Sequence, residues 1–317
     1  MNNTKCPLCS KSEYIDEVSY NKLFKNKIYY CKDCILSFDY PPPSLEILNE
    51  YYENISNDIH KGKVSTFSKG HKVKRWLRAY SQFYFINKYF SKSNNNFLFI
   101  DFGCGLGQLI SLLDESNYKV AGIEPNFEYR KNAPSNVKEK IYKDFSGIVE
   151  EDSEVVLILS HVLEHLNNPE QFLDSMLAKF KVKYIFVEQP LIHSNFFQYV
   201  VQKNKLGGEH IIMFSEKSLS KFFELKDYFP QDKIEPKYSG IVSLNAKGYI
   251  EKDNLRKQLI NSHKSHKIRN RLINQFINFT GFFLGAKLIA KLTVNYFPHS
   301  PKDLATVLTN IFVYKSS

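Results

Sequence analysis

No uncharged apolar run in this sequence approaches the roughly 18 residues that a transmembrane helix needs. The longest, Phe276 to Ala286, already contains Asn278 and Thr280 and stops at Lys287. Met1 to Cys6 has no apolar stretch of the kind a secretory signal carries, so no such signal and a cytoplasmic location are expected. Five cysteines in 317 residues are too few for a disulfide-dense secreted scaffold. No internal repeat is visible. A mainly disordered chain is excluded by what is present: 43% of the residues are hydrophobic and 15% aromatic. That is enough for one large α/β domain with a small module or two.

The net charge of +10 is unevenly placed. From Glu251 to Ser317 there are eleven Lys/Arg against three acidic residues, so the first 250 residues are nearly neutral. This argues against a nucleic-acid-binding core, and no DNA partner is expected. The basic stretch carries Phe279, Phe282, Phe283, Leu288, Ile289 and Leu292 around a polar stripe of Thr280, Lys287, Lys291 and Asn295, an amphipathic helical pattern. It could touch an anionic membrane surface peripherally, or pack on the core or a second copy.

Four segments follow from composition: 1–45 with four cysteines, closed by Pro41-Pro42-Pro43; 46–92, Tyr-rich and helical; 93–248, alternating strand and helix; and the basic helical tail, 249–317. In the third segment, strands are expected at Phe97–Asp101, Tyr118–Glu124, Lys140–Tyr142, Val155–Ser160 and Tyr184–Glu188, with a late one at Ile241–Leu244. Helices are expected between them, over 106–113, 127–132 and 169–180, and another over 216–223. The alternation predicts right-handed crossovers and a doubly wound, Rossmann-like α/β sheet.

Cys6-x-x-Cys9 and Cys31-x-x-Cys34, 21 residues apart, have the spacing of a zinc ribbon. Four thiolates would close a tetrahedral site around a structural Zn2+, whose role is to fold a segment too small to build its own core. A redox dithiol needs one such pair, not two. Cys104 lies in a different setting and reads as a small packing residue.

Asp101-Phe-Gly103-Cys-Gly105-Leu-Gly107 follows the first strand and opens the first helix, so the backbone can approach a ligand there. Glu124 ends the second strand and can accept both hydroxyls of a ribose. A nicotinamide dinucleotide and S-adenosylmethionine both suit such a site. The dinucleotide pattern wants a glycine where Gln108 stands, and Asp101 would repel a pyrophosphate but suits a cationic amino group.

On these residues the segment from about Phe97 to Gly248 resembles the class I S-adenosylmethionine-dependent methyltransferases. The resemblance implies that Asp101, Gly103, Gly105 and Gly107 line the cofactor. Glu124 would hold its ribose, with Pro125 and Asn126 shaping the adenosine pocket. Asp144 and Phe145 would sit at the adenine, and Ser160 and His161 would close the cleft.

His161 and His165 are four apart, on one face if the segment is helical, with Glu164 beside His165; His193 and Glu209-His210 follow the fifth strand. For a hydroxyl or acidic carbon the enzyme must remove a proton, and histidine suits that. His165 or His210 is the candidate base, with Glu209 or Glu164 as orienter. Capping or a buried histidine is the competing reading, and a divalent ion the third. Ubiquinone and small-RNA methyltransferases carry E-x-x-E-H here; His161 replaces the first acid, which disfavours magnesium.

A cysteine-rich module before a class I domain also resembles bacterial nucleotide-sugar C-methyltransferases. Their segment after the fifth strand is similar to Glu209-His210-Ile211-Ile212-Met213-Phe214-Ser215, with Gly207 where a tyrosine is usual and a basic tail where a further α/β domain is usual. The resemblance implies His210 as base, with Glu209 and His165 beside it, a sugar or nucleotide-sugar acceptor, and a place in surface-glycan biosynthesis. The alternatives are methyl transfer to RNA, protein or another small molecule with the ribbon as recognition module, and a non-catalytic scaffold.

Overall fold

The computed structural model describes residues 4–60, 69–91, 96–149, 153–192, 208–234 and 307–314. The chain opens with an antiparallel meander, β1 (Ile15–Asn21), β2 (Asn26–Cys31) and β3 (Leu36–Tyr40). Two helices follow, α1 (Leu45–His60) and α2 (Lys69–Phe90).

The main sheet is built from β4 (Leu98–Phe102), β5 (Lys119–Ile123), β6 (Ile141–Tyr142), β7 (Val155–Ser160) and β8 (Val182–Pro190), all parallel. Helices α3 (Gln108–Glu115), α4 (Phe127–Lys131) and α5 (Pro169–Lys179) lie between strands. Then come β9 (Ile212–Phe214), α6 (Glu216–Glu224), β10 (Tyr228–Ile234) and β11 (Val307–Tyr314). The seven-stranded order is β10-β11-β8-β7-β4-β5-β6, with β11 antiparallel to both its neighbours.

The central strands read as unbroken apolar runs because both faces are covered. Leu98 and Ile100 point into the core shared with Leu157, Leu173 and Met176 of α5. Phe97 and Phe99 point the other way, against Leu77 and Ile86 of α2 and Leu113 of α3. Phe90 meets Phe99 edge-on at 5.3 Å between centroids and Tyr184 at 5.1 Å.

Two expectations change. Val307–Tyr314, inside the stretch read as a helical tail, is a strand paired with β8 and β10. Residues 249–306 and the late strand at 241–244 lie outside the described residues. The cysteine module is also not a separate bead. Its β3 pairs with β9, Leu36 opposite Phe214, making a second, four-stranded sheet. Leu36, Phe38, Cys31 and Cys34 are buried in the same cluster as Phe214, Phe222 and Phe223.

No helix among the described residues is long and apolar enough to cross a membrane.

Candidate functional site

The chain goes from β4 outwards to β5 and β6, then returns to β7 and β8 on the other side. The carboxyl ends of β4 and β7 therefore flank the switch point where open sheets bind ligands. The glycine loop sits there. Gly103, Gly105 and Gly107 all have left-handed φ, at 69°, 57° and 70°. At Gly107 a Cβ would meet Ile141 Cδ1 at 2.7 Å, so glycine is required for both reasons.

Asp101 is 4% exposed, and burial, then the nearby Glu124 carboxylate, push its pKa up to about 8. Glu124 accepts from Gly105 N at 2.9 Å and Asn126 N at 2.8 Å. Burial raises its pKa, and these two bonds oppose the rise. Arg130 donates to the Glu124 and Pro125 carbonyls at 2.6 Å each, pinning the turn after β5. Asn126 caps α4 by accepting from Glu128 N and Tyr129 N. The Cys104 thiol is pushed up by burial, then by Asp101, so it stays neutral and packs under Gly122.

Asp144 ends up at the carboxyl edge beside Glu124, whose N–H donates to Tyr142 O at 2.9 Å. Its carboxylate caps a short turn by accepting from Ser146 N at 2.9 Å, and the Ser146 hydroxyl donates to it as well. Phe145 turns back towards the core beneath Lys179, 5.6 Å from its ring centroid.

After β7, His161 takes φ 54° and the chain makes one 3-10 turn, Leu163–His165. The shared α-helical face expected for His161 and His165 therefore does not form. His161 Nδ1 lies 3.2 Å from Glu164 Oε1 and Nε2 3.6 Å from Glu188 Oε1, with Arg78 Nε 3.8 Å from the same Glu188 oxygen. Burial alone would lower the His161 pKa, but its bonds to Glu164 and Glu188 outweigh that and raise it. Both its ring nitrogens face carboxylates. Ser160, its neighbour, accepts from Gln82 Nε2 at 2.7 Å.

His165 and His210 come together, rings 4.9 Å apart and nearly perpendicular. His165 Nδ1 is 3.0 Å from the Glu209 carbonyl, so Nδ1 carries a proton and donates to it. Burial lowers the His210 pKa, so the ring is neutral at pH 7. Tyr51 of α1 donates to Glu209 Oε2 at 3.4 Å. Val162, next to His161, touches the glycine loop, 3.1 Å from a Cβ built on Gly103. His193 lies outside the described residues.

Two groups among the described residues could hold a metal ion: Cys6, Cys9, Cys31 and Cys34, and Glu164, His165 and His210. In the first, Cys9 Sγ and Cys31 Sγ are 3.8 Å apart. Leu8 N donates to Cys6 Sγ at 3.4 Å and Cys34 N to Cys31 Sγ at 3.5 Å, so backbone amides already face the sulfurs. Four converging thiols fit a tetrahedral ion.

Arg75, Arg78 and Gln82 of α2 and Glu188 of β8 escaped the sequence reading. Arg75 stacks over Tyr129 at 5.0 Å and lies 3.5 Å from a Cβ built on Gly105. Their signal was present: polar residues three, four and seven apart on an aromatic helix, and an acid ending the fifth strand's apolar run.

Residues 72–228 match the family model of a methyltransferase domain. No curated protein matches the sequence. Among solved structures, the chain is similar to a SAM-dependent methyltransferase from Archaeoglobus fulgidus, with 17% identity over 74% of this chain and 94% of that one, TM-score 0.40. It is also similar to 1,6-didemethyltoxoflavin-N1-methyltransferase from Burkholderia thailandensis, with 12% identity over 64% and 89%, TM-score 0.42. A third is magnesium protoporphyrin IX methyltransferase from Synechocystis, with 12% identity over 52% and 78%, TM-score 0.41. The family match over this segment, together with the sheet order and the glycine loop, supports a methyltransferase domain that uses S-adenosylmethionine.

Proposed function

We propose that the chain methylates a sugar or nucleotide-sugar in bacterial surface-glycan biosynthesis, with His210 as general base and a structural Zn2+ on Cys6, Cys9, Cys31 and Cys34. The observation that carries the base is the half-buried His210 ring, its pKa lowered by burial, packed on His165. The sugar acceptor is supported by the resemblance of Glu209–Ser215 to the sugar methyltransferases.

When bound, S-adenosylmethionine supplies an electrophilic methyl on a sulfonium that is already a good leaving group. The chain's own residues do the rest. Gly103, Gly105 and Gly107 open room for it, Glu124 takes the ribose, and Asp101 faces the amino group. His210 accepts the acceptor's proton, and Glu209 and His165 hold the loop that carries it.

The competing reading is a metal on Glu164, His165 and His210: both buried Glu164 oxygens lack a hydrogen-bond partner, with His161 Nδ1 3.2 Å from one of them. Burial works to raise the Glu164 pKa, yet its contacts with His161 hold it low. The test is a screen of nucleotide sugars, simple sugars, RNA and protein with methyl-labelled cofactor. Label in a sugar supports the proposal; label confined to RNA or protein overturns it.

One prediction concerns Asp101. With its pKa at about 8, the free protein holds this proton at neutral pH. A cationic amino group favours the carboxylate, so binding releases the proton. Affinity for S-adenosylhomocysteine should rise by up to about tenfold per pH unit from about pH 6, levelling above pH 8. Asp101→Asn should flatten the profile. A wild-type affinity that does not change with pH would remove Asp101 from the amino group.

A further inference from the structure

The loop that carries Glu209 and His210 does not hang from the main sheet. It is the entry to β9, and β9 is the fourth strand of the cysteine module's sheet. Its two ends are held from that module. At the far end, Asp39 N donates to Ile211 O at 2.8 Å, while Ile211 N donates to Glu164 O at 2.7 Å.

At the near end stands Asn21, the last residue of β1, fully buried. Its Nδ2 donates to Gly208 O at 3.0 Å and to Asp39 Oδ2 at 2.7 Å. Its Oδ1 accepts from Gly208 N at 3.1 Å and from Leu23 N at 3.1 Å. One amide side chain thus grips both sides of the Gly208 residue, 187 positions away, and ties it to β3. Gly208 itself sits at φ 78°, with nothing among the described residues within 4 Å of a built Cβ, so the bonds to Asn21 are what hold it among them.

We infer that Asn21 is a positioning residue for the acceptor-side loop, and that the cysteine module serves the active site by holding Glu209 and His210 rather than by recognising a substrate. The inference deepens the reading of His210 as base and rests on it. The physical argument is one of precision. A base displaced by about 1 Å loses on the order of a hundredfold in rate. A loop with one glycine at its start, and no packing there among the described residues, needs directional bonds to hold that tolerance. The amide of Asn21 supplies a donor and an acceptor at fixed spacing, which a hydroxyl or a carboxylate does not.

The test compares Asn21→Ala with Val18→Ala in the full-length, metal-loaded protein. Val18 packs on Ile28 and Tyr30 of the same module and has no part in the clasp. Three quantities are read: thermal midpoint, S-adenosylhomocysteine affinity, and the ring resonances of His165 and His210, assigned by single substitution. Asn21→Ala should shift both histidines, leave cofactor affinity within about twofold, and lower kcat by about 10- to 100-fold. Val18→Ala should lower the midpoint and leave the histidines in place.

If Asn21→Ala does not fold, Asn21→Ser keeps one hydroxyl facing Gly208 but cannot bridge its N–H and its carbonyl together. It should give the same shifts at smaller amplitude. Histidine resonances unmoved by the Asn21 substitutions, or moved equally by Val18→Ala, would overturn the clasp. Moved resonances with a His210→Ala enzyme of unchanged turnover would keep the clasp and overturn the base.

Discussion

Replacing His210 by alanine should lower turnover by about 10²- to 10⁴-fold, the range for losing a general base, and leave S-adenosylhomocysteine affinity within about twofold. The two effects separate because the cofactor's proposed residues lie on β4, β5 and the glycine loop, whereas His210 hangs from the other sheet. The pH profile adds an independent sign. Burial holds the His210 pKa below the ordinary 6.5, so the neutral, proton-accepting ring persists into mildly acidic solution. The acid limb of kcat/KM for the acceptor, measured at saturating methyl donor, should therefore fall below pH 6.5, not above it. Unchanged turnover in His210→Ala would remove this residue from the mechanism. A wild-type acid limb above pH 6.5 would mean that another group titrates.

Stripping the ion proposed for Cys6, Cys9, Cys31 and Cys34 should abolish methyl transfer, by more than about a hundredfold, while S-adenosylhomocysteine still binds within several-fold. Structural Zn2+ binding supplies about 10–16 kcal/mol in small thiolate modules, comparable with the whole stability of a domain. The consequence here reaches past the module. Cys34 O accepts from Ser215 Oγ at 3.3 Å and Ile35 O from Ser218 Oγ at 3.4 Å, so the second knuckle is tied to the start of α6. Ser215 and Ser218 form a reciprocal cap at that helix start. Losing the ion frees β3, β9 and the His210 loop together. The glycine loop is packed from the other face, against Ile110 and Ile141, and keeps its geometry. Cys31→Ser should reproduce the effect. Counting the ions checks the site as well. One zinc per chain, lost in Cys31→Ser, is expected; a second ion that disappears in His210→Ala would place a metal on Glu164, His165 and His210.

What could be read without coordinates was local. Phe97 to Asp101 reads as a strand because both its faces are covered, and Asp101 to Gly107 names its own turn through three glycines at left-handed φ. The four cysteines converge as their spacing implies. Pairings between distant segments were not legible. β11 joins β8 across more than a hundred residues, and β3 meets β9 across a longer gap still. No local pattern encodes such a register. His161 misled because helical spacing was assumed where the chain takes a left-handed residue and a single 3-10 turn. Asn21 carries no motif at all. Its role depends on a fold that brings Gly208 to the end of β1.

The central claim is that the glycine loop and Glu124 bind the methyl donor. Calorimetric titration of the zinc-loaded protein with S-adenosylhomocysteine tests it most directly. Micromolar affinity is predicted, with Glu124→Ala weakening it by about 10- to 100-fold through loss of charged hydrogen bonds to the ribose. No binding by the wild-type protein, or equal binding by Glu124→Ala, would contradict it.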